Sequence, residues 1–206
     1  MAAYQEHVSN RMADVRATTP VDNERELGSL RLIVFSDLHK GSRNGADDFA
    51  IAETTYMAAL EYYWQQDFEL YLLGDVEELW ENWPSDILSA YGNVLNQELR
   101  FAQATAPERY RRFAGNHDDL WYRHDQQEQY LRPYLANHQV LESRRIPVTD
   151  AGQRLGELFL LHGHQGTADS DTHATLSAWL VRTFWRPLQR LFKFKSTAPS
   201  TSFVLR

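Results

Sequence analysis

The chain has 206 residues, of which 43% are hydrophobic and 24% are charged, and this balance indicates one globular domain with a core and excludes a disordered or fibrous chain. The formal net charge of −7 argues against general binding to nucleic acid, because affinity for the phosphate backbone comes from Lys and Arg. Cysteine is absent, which excludes disulfides and thiolate metal sites, so any metal ligand must be His, Asp, Glu or Asn.

The predicted elements alternate between strands and helices after a polar lead-in. Residues 1–28 are predicted to be an N-terminal extension that forms a loose helix or no regular structure. The apolar run 30–35 (LRLIVF) predicts a buried strand, and residues 47–66 carry apolar side chains at helical spacing. Residues 68–73 (FELYLL) predict a second buried strand, which is followed by a helix over 86–104.

The same alternation continues in the second half of the chain. Residues 109–114 (RYRRFA) predict a third, less apolar strand, and residues 126–136 predict a helix that Pro133 should interrupt. Residues 155–161 (LGELFLL) predict a last strand. The sequence shows no secretory signal and no apolar run of about 18 residues, so we expect a cytoplasmic protein.

Each predicted strand ends in a short polar cluster. The clusters are SDLH (36–39), GDVEE (74–78), GNHD (115–118) and HGH (162–164). In open α/β sheets, ligand sites lie at the carboxyl ends of the strands. Four such clusters at one edge of a sheet therefore predict an active site there.

These clusters contain the ligand types of a two-metal centre. In extended backbone, Asp37 and His39 point the same way and can meet one ion. The two oxygens of Asp75 can bridge two ions, while Asn116 and His162 offer an amide oxygen and an imidazole nitrogen. This mixed N/O set favours Mn, Fe, Zn or similar ions, and two ions about 3.5–4 Å apart can activate water and clamp a phosphoryl group.

His117 is predicted to be the catalytic residue, either as general acid for the leaving alkoxide or as a donor to the transition-state oxyanion. Asp118 is expected to orient that ring or another supporting group. The alternative is structural, because Gly, Asn and Asp are common turn residues, and GNHD or Gly74-Asp75 alone is typical of a turn. The order of all four clusters at strand ends favours the metal interpretation.

This series of motifs resembles the calcineurin-like metallophosphoesterases, within a core at residues 29–165. The resemblance implies a four-layer α/β sandwich, in which two packed mixed sheets are flanked by helices. It also implies two divalent ions as cofactors, with Mn expected and Fe, Zn or Ni as alternatives. His117 matches the residue that assists the leaving group, and Glu78 and Asp118 are expected to support the ligands. The residues that match the family's metal ligands are Asp37, His39, Asp75 (as the bridge), Asn116 and His162.

The run GDVEELW resembles the GD-x-x-E-x-W of UDP-2,3-diacylglucosamine hydrolases, although those enzymes often have Arg where this chain has His117. The resemblance therefore implies a metal-dependent hydrolase that acts on a phosphoester or pyrophosphate bond. The substrate is expected to be a phosphorylated small molecule or a lipid-linked, nucleotide-lipid compound. A nuclease of the same fold is disfavoured by the acidic balance.

The family closes its site with a late Gly-His-x-His motif, whereas the residues after His164 contain only His173. We therefore expect a C-terminally truncated chain, whose second sheet lacks strands and exposes apolar surface and in which one metal binds weakly or not at all. The alternative function is a non-catalytic fragment that keeps the fold as a binding or interaction module.

Residues 166–206 are predicted to be a basic amphipathic segment with Trp and Phe on its apolar side. Arg182 and Arg186 are four residues apart and share a helix face. The segment is expected to contact an anionic membrane surface through residues 176–195, to form a lid whose arginines hold substrate phosphates, or to pack on the domain. The candidate substrate contacts are Arg43, Arg182 and Arg186.

Overall fold

The computed structural model describes residues 2–45, 47–104, 109–136 and 138–164, and these residues form two β-sheets with helices. The mixed sheet contains, in spatial order, β1 (Arg25–Glu26), β6 (Ser143–Asp150) and β7 (Gln153–Leu161). The parallel sheet contains β2 (Leu32–Phe35), β3 (Glu69–Leu73), β4 (Tyr110–Phe113) and β5 (Val140–Leu141). The predicted α/β class is confirmed at this level, while the four-layer metallophosphoesterase arrangement stays a prediction.

The helices lie between and after the strands of the parallel sheet, with one more at the N-terminus. In chain order, the described α-helices are α1 (Ala2–Thr18), α2 (Glu53–Gln65), α3 (Pro84–Ala90), α4 (Gly92–Ala102), α5 (His124–Gln126) and α6 (Arg132–Leu135). Shorter helical turns occur at Leu27–Ser29, Phe49–Ile51, Asp119–Tyr122 and, as a π-turn, at Gln127–Leu131.

Strand β3 lies inside the parallel sheet and is buried on both of its faces. Leu70 and Leu72 belong to the core that packs against the helices, whereas Tyr71 belongs to a second core between the sheets. Successive side chains of a strand point to opposite faces, so this alternation places the parallel sheet between the helices and the mixed sheet. The buried members of the second core are Tyr71, Phe113, Ile146 and Leu160.

Strands β6 and β7 form an antiparallel hairpin, and the sequence pattern predicted only the second of them. The turn residues Ala151 and Gly152 have φ angles of 48° and 78°, which suits the twist of a two-residue hairpin. The apolar pattern of β6 is interrupted by Arg144, Arg145 and Pro147. A strand that borders a core on only one face need not be apolar throughout, so this sequence can still form a strand.

The single helix predicted over 86–104 is instead two helices, α3 and α4, which meet at Tyr91 (φ −118°, ψ 28°). The ring of Tyr91 is fully buried, and its hydroxyl donates to Oδ2 of Asp47 at 2.7 Å. This tertiary contact, together with the low helix propensity of Gly92, accounts for the break.

The helix predicted over 126–136 is also irregular. Regular α-helix gives way to the π-turn Gln127–Leu131, and Pro133 then lies in the first turn of α6. Proline has no N–H to donate to the preceding turn and is tolerated at a helix start. The chain stays helical from residue 124 to residue 135, so Pro133 does not break the helix as predicted, although the turn before it is a π-turn.

The N-terminal lead-in has more regular structure than its polarity indicated. Residues Ala2–Thr18 form α1, and Arg25–Glu26 then pairs in parallel with β6. The guanidinium of Arg16 contacts Oε1 of Glu157 on β7 at 2.6 Å. The mixed sheet therefore begins at residue 25, inside the predicted extension, and the domain boundary at residue 28 stays a prediction.

None of the helices in the described residues has the length and apolar character that crossing a bilayer requires. The predictions for residues 166–206, including the membrane contact at 176–195 and the substrate contacts of Arg182 and Arg186, lie outside the described residues.

Candidate metal centre

The polar loops meet at one edge of the parallel sheet, because β2, β3 and β4 run in the same direction. The loop after β7 reaches the same place from the mixed sheet. There, Nδ1 of His162 donates a hydrogen bond to the carbonyl oxygen of Leu73, at the end of β3, at 2.9 Å. The four clusters therefore converge, but HGH (162–164) follows a strand of the mixed sheet, so the expectation that all four lie at the edge of one sheet is wrong for this cluster.

Three residues of these loops hold left-handed backbone conformations. Asp37, His39 and Asp75 have φ angles of 54°, 47° and 51°, and such conformations cost of order 1–3 kcal/mol each and cluster at functional sites. Hydrogen bonds from the N–H of Asp37 to Gly74 O (3.2 Å) and from the N–H of His39 to Asp75 O (2.9 Å) stabilise them. The extended backbone assumed at Asp37 and His39 is therefore wrong, and the two side chains join different groups of the centre.

Asp75 and His162 form the buried middle of the site, with Oδ2 of Asp75 3.1 Å from Nε2 of His162. Burial by itself would raise the pKa of Asp75, but the hydrogen bond and charge of His162 outweigh it and lower this pKa. Burial would likewise lower the pKa of His162, but the carboxylate of Asp75 raises it to about 9. Each side chain thus stabilises the charged form of the other.

Two glycines allow this close approach. A Cβ atom at Gly74 would lie 2.6 Å from Cγ of His162, and the φ of Gly74 is +80°. A Cβ atom at Gly115 would overlap Oδ1 of Asp75. Both motifs therefore need their glycine for space and not only for a turn, Gly74 beside His162 and Gly115 beside Asp75.

Glu78 connects two histidines of the centre. Its Oε2 accepts hydrogen bonds from Nδ1 of His39 (2.8 Å) and from Nδ1 of His117 (2.7 Å). Burial would raise the pKa of Glu78, but these two imidazoles outweigh it and lower the pKa, so the carboxylate is ionised and acts as an acceptor. Both Nδ1 atoms then carry hydrogen, and both Nε2 atoms become the functional nitrogens.

The imidazole of His39 is oriented by this contact, with Nδ1 on Glu78 and Nε2 on the side of Asp75. Burial would lower the pKa of His39, but the hydrogen bond and charge of Glu78 raise it, with smaller effects of Asp75 and Asp37. Nε2 of His39 lies 3.8 Å from Oδ2 of Asp75. A carboxylate on one nitrogen with the other directed to a cation is the usual arrangement of a metal-binding histidine.

Asp118 supports the backbone of the site rather than the ring of His117. Its Oδ1 accepts from the N–H groups of Gly115 (2.6 Å) and Asp75 (3.2 Å), and its Oδ2 accepts from that of Val76 (2.9 Å). Burial, and then the nearby carboxylate of Glu77, raise the pKa of Asp118. Asp118 therefore orients a supporting part of the site, as one of its two expected roles, and not the ring of His117. The ring is bound by Glu78 instead.

The donor atoms fit divalent cations. Among the residues that the structure describes, two groups of three side chains have ligand atoms within 4.8 Å of one another, and such carboxylate–imidazole sets suit Mn, Fe or Zn. Nε2 of His39 lies 3.8 Å from Oδ2 of Asp75, so the two groups are adjacent. The first group is Asp37, Asp75 and His162, and the second is His39, Glu78 and His117.

A buried ionic network lies directly behind these loops, and the sequence analysis did not predict it. Nζ of Lys40 is 2.5 Å from Oε1 of Glu98 and 3.7 Å from Oε1 of Glu77. The guanidinium of Arg112 binds the other oxygen of Glu77, to which Nε1 of Trp121 also donates at 2.9 Å. Because Lys40 follows His39 and Glu77 precedes Glu78, this network anchors both loops. The charge of Arg112 in strand β4 and of Glu98 in helix α4 is the sequence signal for it.

The remaining predicted site residues have different surroundings. The backbone carbonyl of Asn116 accepts a hydrogen bond from Nε1 of Trp80, and the predicted role of its amide oxygen as a ligand stays a prediction. The guanidinium of Arg43 donates to Ala90 O (2.8 Å) and Glu53 Oε1 (2.7 Å), away from the carboxylates of the centre. Its role as a substrate contact likewise stays a prediction.

Comparison with known proteins identifies no relative of this chain. No protein-family model, no curated protein and no solved structure matches it.

Proposed function

We propose that this chain is a metal-dependent phosphoester hydrolase with a dinuclear centre, as its motif resemblance to the calcineurin-like metallophosphoesterases implies. The observation that carries the proposal is the position of Asp75. Its Oδ2 lies 3.1 Å from Nε2 of His162 and 3.8 Å from Nε2 of His39, which come from different loops. A buried carboxylate between two imidazoles is suited to bridge two cations.

The ligand assignment follows from these contacts and from the motifs. Asp37, Asp75 and His162 would hold the first ion, while Asp75, His39 and Asn116 would hold the second. Mn is the expected metal, with Fe, Zn or Ni as alternatives. When bound, such a pair of ions supplies an acidified water and neutralises charge on the phosphoryl oxygens.

His117 is the residue that we assign to the leaving group. Glu78 accepts the Nδ1–H of His117, so Nε2 is the nitrogen that can give a proton to the departing oxygen. The ring is about a quarter exposed, which leaves it open to a ligand at the centre. The ionised carboxylate of Glu78 can only accept at the Nδ1 edge, so it fixes which nitrogen of His117 is available for this role.

The substrate class in this proposal is a phosphorylated small molecule or a lipid-linked compound with a phosphoester or pyrophosphate bond. The net charge of −7 disfavours a nucleic acid substrate. A cytoplasmic location completes the proposal.

The test is hydrolysis of bis-p-nitrophenyl phosphate by the wild type and an Asp75→Asn variant, with and without Mn. We expect hydrolysis that requires Mn and a loss of at least about 100-fold in the variant, because removing a ligand costs more than removing its supporting partner. The matched control is Asp67→Asn, since Asp67 also has a left-handed φ of 60° but has an 84% exposed side chain.

Two results would contradict the proposal. If Asp75→Asn is as active as the wild type, the centre is not the site of hydrolysis. If the wild type binds Mn but hydrolyses no phosphoester, the chain is the binding module that the sequence left as an alternative.

A further inference from the structure

Trp80 contacts three different residues of the centre through three different groups. Its backbone N–H donates to Oε1 of Glu78 at 3.2 Å, and its indole Nε1–H donates to the carbonyl oxygen of Asn116 at 2.8 Å. Its ring stacks on the imidazole of His117, with centroids 4.1 Å apart and planes inclined by 18°. No role was predicted for Trp80 from the sequence, although it lies in the run GDVEELW.

The stacked indole restricts the imidazole of His117 on the side that Glu78 leaves open. Glu78 holds the Nδ1 edge of the ring, and His39 meets it nearly at right angles, at 86° and 4.7 Å. Trp80 covers one face of the ring at van der Waals distance. Rotation of the ring would break the hydrogen bond to Glu78, and tilting would collide with the indole, so Nε2 keeps one direction.

The indole N–H adds a second constraint, which acts through the main chain. The carbonyl that it binds belongs to Asn116, and this residue directly precedes His117. The next peptide is held as well, since the N–H of His117 donates to Oδ1 of Asp75 at 2.8 Å. Trp80 therefore fixes both the ring of His117 and the backbone that carries it.

We propose that Trp80 is a positioning residue that aims Nε2 of His117 at the leaving oxygen. This inference rests on the proposed function. Proton donation matters most when the leaving group is a poor one, because a basic alkoxide must be protonated as it departs, whereas p-nitrophenolate leaves without help. Loss of the stacked ring should therefore slow hydrolysis of esters with basic leaving groups more than hydrolysis of p-nitrophenyl esters.

The experiment compares the wild type with Trp80→Leu and Trp80→Phe over a series of phosphoesters of rising leaving-group pKa, at saturating Mn. For Trp80→Leu we expect kcat to fall about 10- to 100-fold on alkyl esters and only a few-fold on p-nitrophenyl esters. The larger loss is part of the ~10²–10⁴-fold rate increase that a general acid contributes. Trp80→Phe keeps an aromatic face without the N–H, and we expect it to recover most of the loss. The control is Trp83→Leu, because Trp83 is 61% exposed.

A second measurement does not depend on activity. In the NMR spectrum, the stacked indole should shift the ring protons of His117 upfield, and Trp80→Leu should remove this shift while Trp83→Leu keeps it. Unmoved His117 resonances in Trp80→Leu would overturn the positioning role, as would an equal kcat loss with every leaving group. A wild type that hydrolyses no ester would overturn the proposed function and the catalytic part of this inference, whereas the NMR result would still decide the stacking.

Discussion

The Nδ1 atoms of His39 and His117 lie 2.8 and 2.7 Å from the same oxygen, Oε2 of Glu78. One carboxylate thereby orients the proposed metal ligand and the proposed acid together. The two rings are held nearly perpendicular, with centroids 4.7 Å apart. Metal binding and proton donation are therefore expected to respond to one substitution.

Glu78→Gln should weaken both functions. A glutamine carbonyl has no negative charge to stabilise an imidazolium, and loss of such a supporting partner typically costs about 10–100-fold in metal affinity or activity. We expect a loss of this size in Mn affinity, measured by calorimetry, and a separate loss in kcat at saturating Mn. Glu24→Gln at an exposed position is the control. An unchanged Mn affinity in Glu78→Gln would show that Glu78 does not orient His39.

Gly115→Ala should disturb the centre without disturbing the sheets. The added methyl group would overlap Oδ1 of Asp75, and overpacking of this kind costs about 1–3 kcal/mol of stability. If this cost falls on the position of Asp75, Mn affinity should fall about 5- to 150-fold, since 1.4 kcal/mol corresponds to a factor of ten. Gly156→Ala is the matched control, because no atom lies within 4 Å of its added Cβ. Equal Mn binding by the two variants would contradict the expected crowding of Asp75.

Arg112→Met should destabilise the fold through the buried network. Arg112 is 1% exposed and pairs with Glu77, whose side chain is fully buried. Removing one partner of a buried pair leaves an uncompensated charge and costs roughly 3–5 kcal/mol. Urea denaturation measures this change in the free energy of unfolding.

Arg132→Met is the matched control for this comparison. Arg132 is 48% exposed and lies 3.8 Å from Glu128 one helical turn away, a pair worth at most about 1 kcal/mol. If Arg112→Met costs no more than Arg132→Met, the network does not anchor the two loops.

Acidification should weaken the contact between α1 and the mixed sheet. The hydrogen bond from Arg145 lowers the pKa of Glu157 most, and Arg16 lowers it further, against the smaller opposing effect of burial. A carboxylate whose pKa is lowered by folding stabilises the fold above its unfolded pKa, and this contribution is lost as the pH falls through the folded value.

The wild type should therefore be more stable than Glu157→Gln at neutral pH, and the difference should shrink below the ordinary Glu pKa of about 4.3. Urea titrations of both proteins between pH 7 and pH 3 measure it. A difference between the two proteins that stays constant with pH would rule out the ionised Glu157 as its source.

The four strands that end in the polar clusters could be predicted because the information is local. A short apolar run such as 68–73 can only be buried, and a polar cluster after it must lie at the end of the resulting strand. The parallel order of β2, β3 and β4 then brings Asp37, Asp75 and Asn116 to one edge. The chain pattern thus predicted polar clusters at strand ends, whereas the pairing of the strands, and the approach of His162 from the mixed sheet, are seen only in the structure.

The strand β6 and the break at Tyr91 could not be predicted in this way. Strand β6 is held by pairing with β1 and β7. Its local sequence contains Arg144, Arg145 and Pro147 and does not predict a strand. Tyr91 ends α3 through a hydrogen bond to Asp47, 44 residues earlier. In both cases long-range contacts overrule local propensity.

By itself, then, the sequence determined which residue types stand at the strand ends and in what order, because apolar periodicity and polar breaks are properties of neighbouring residues. Only the tertiary structure decided how those side chains are grouped. The left-handed backbone at Asp37 and His39 separates two side chains that extended backbone would have joined. The carboxylate of Glu78 meets His39 and His117 from 39 residues away in each direction, and such distances are set by the packing of the sheets rather than by spacing along the chain.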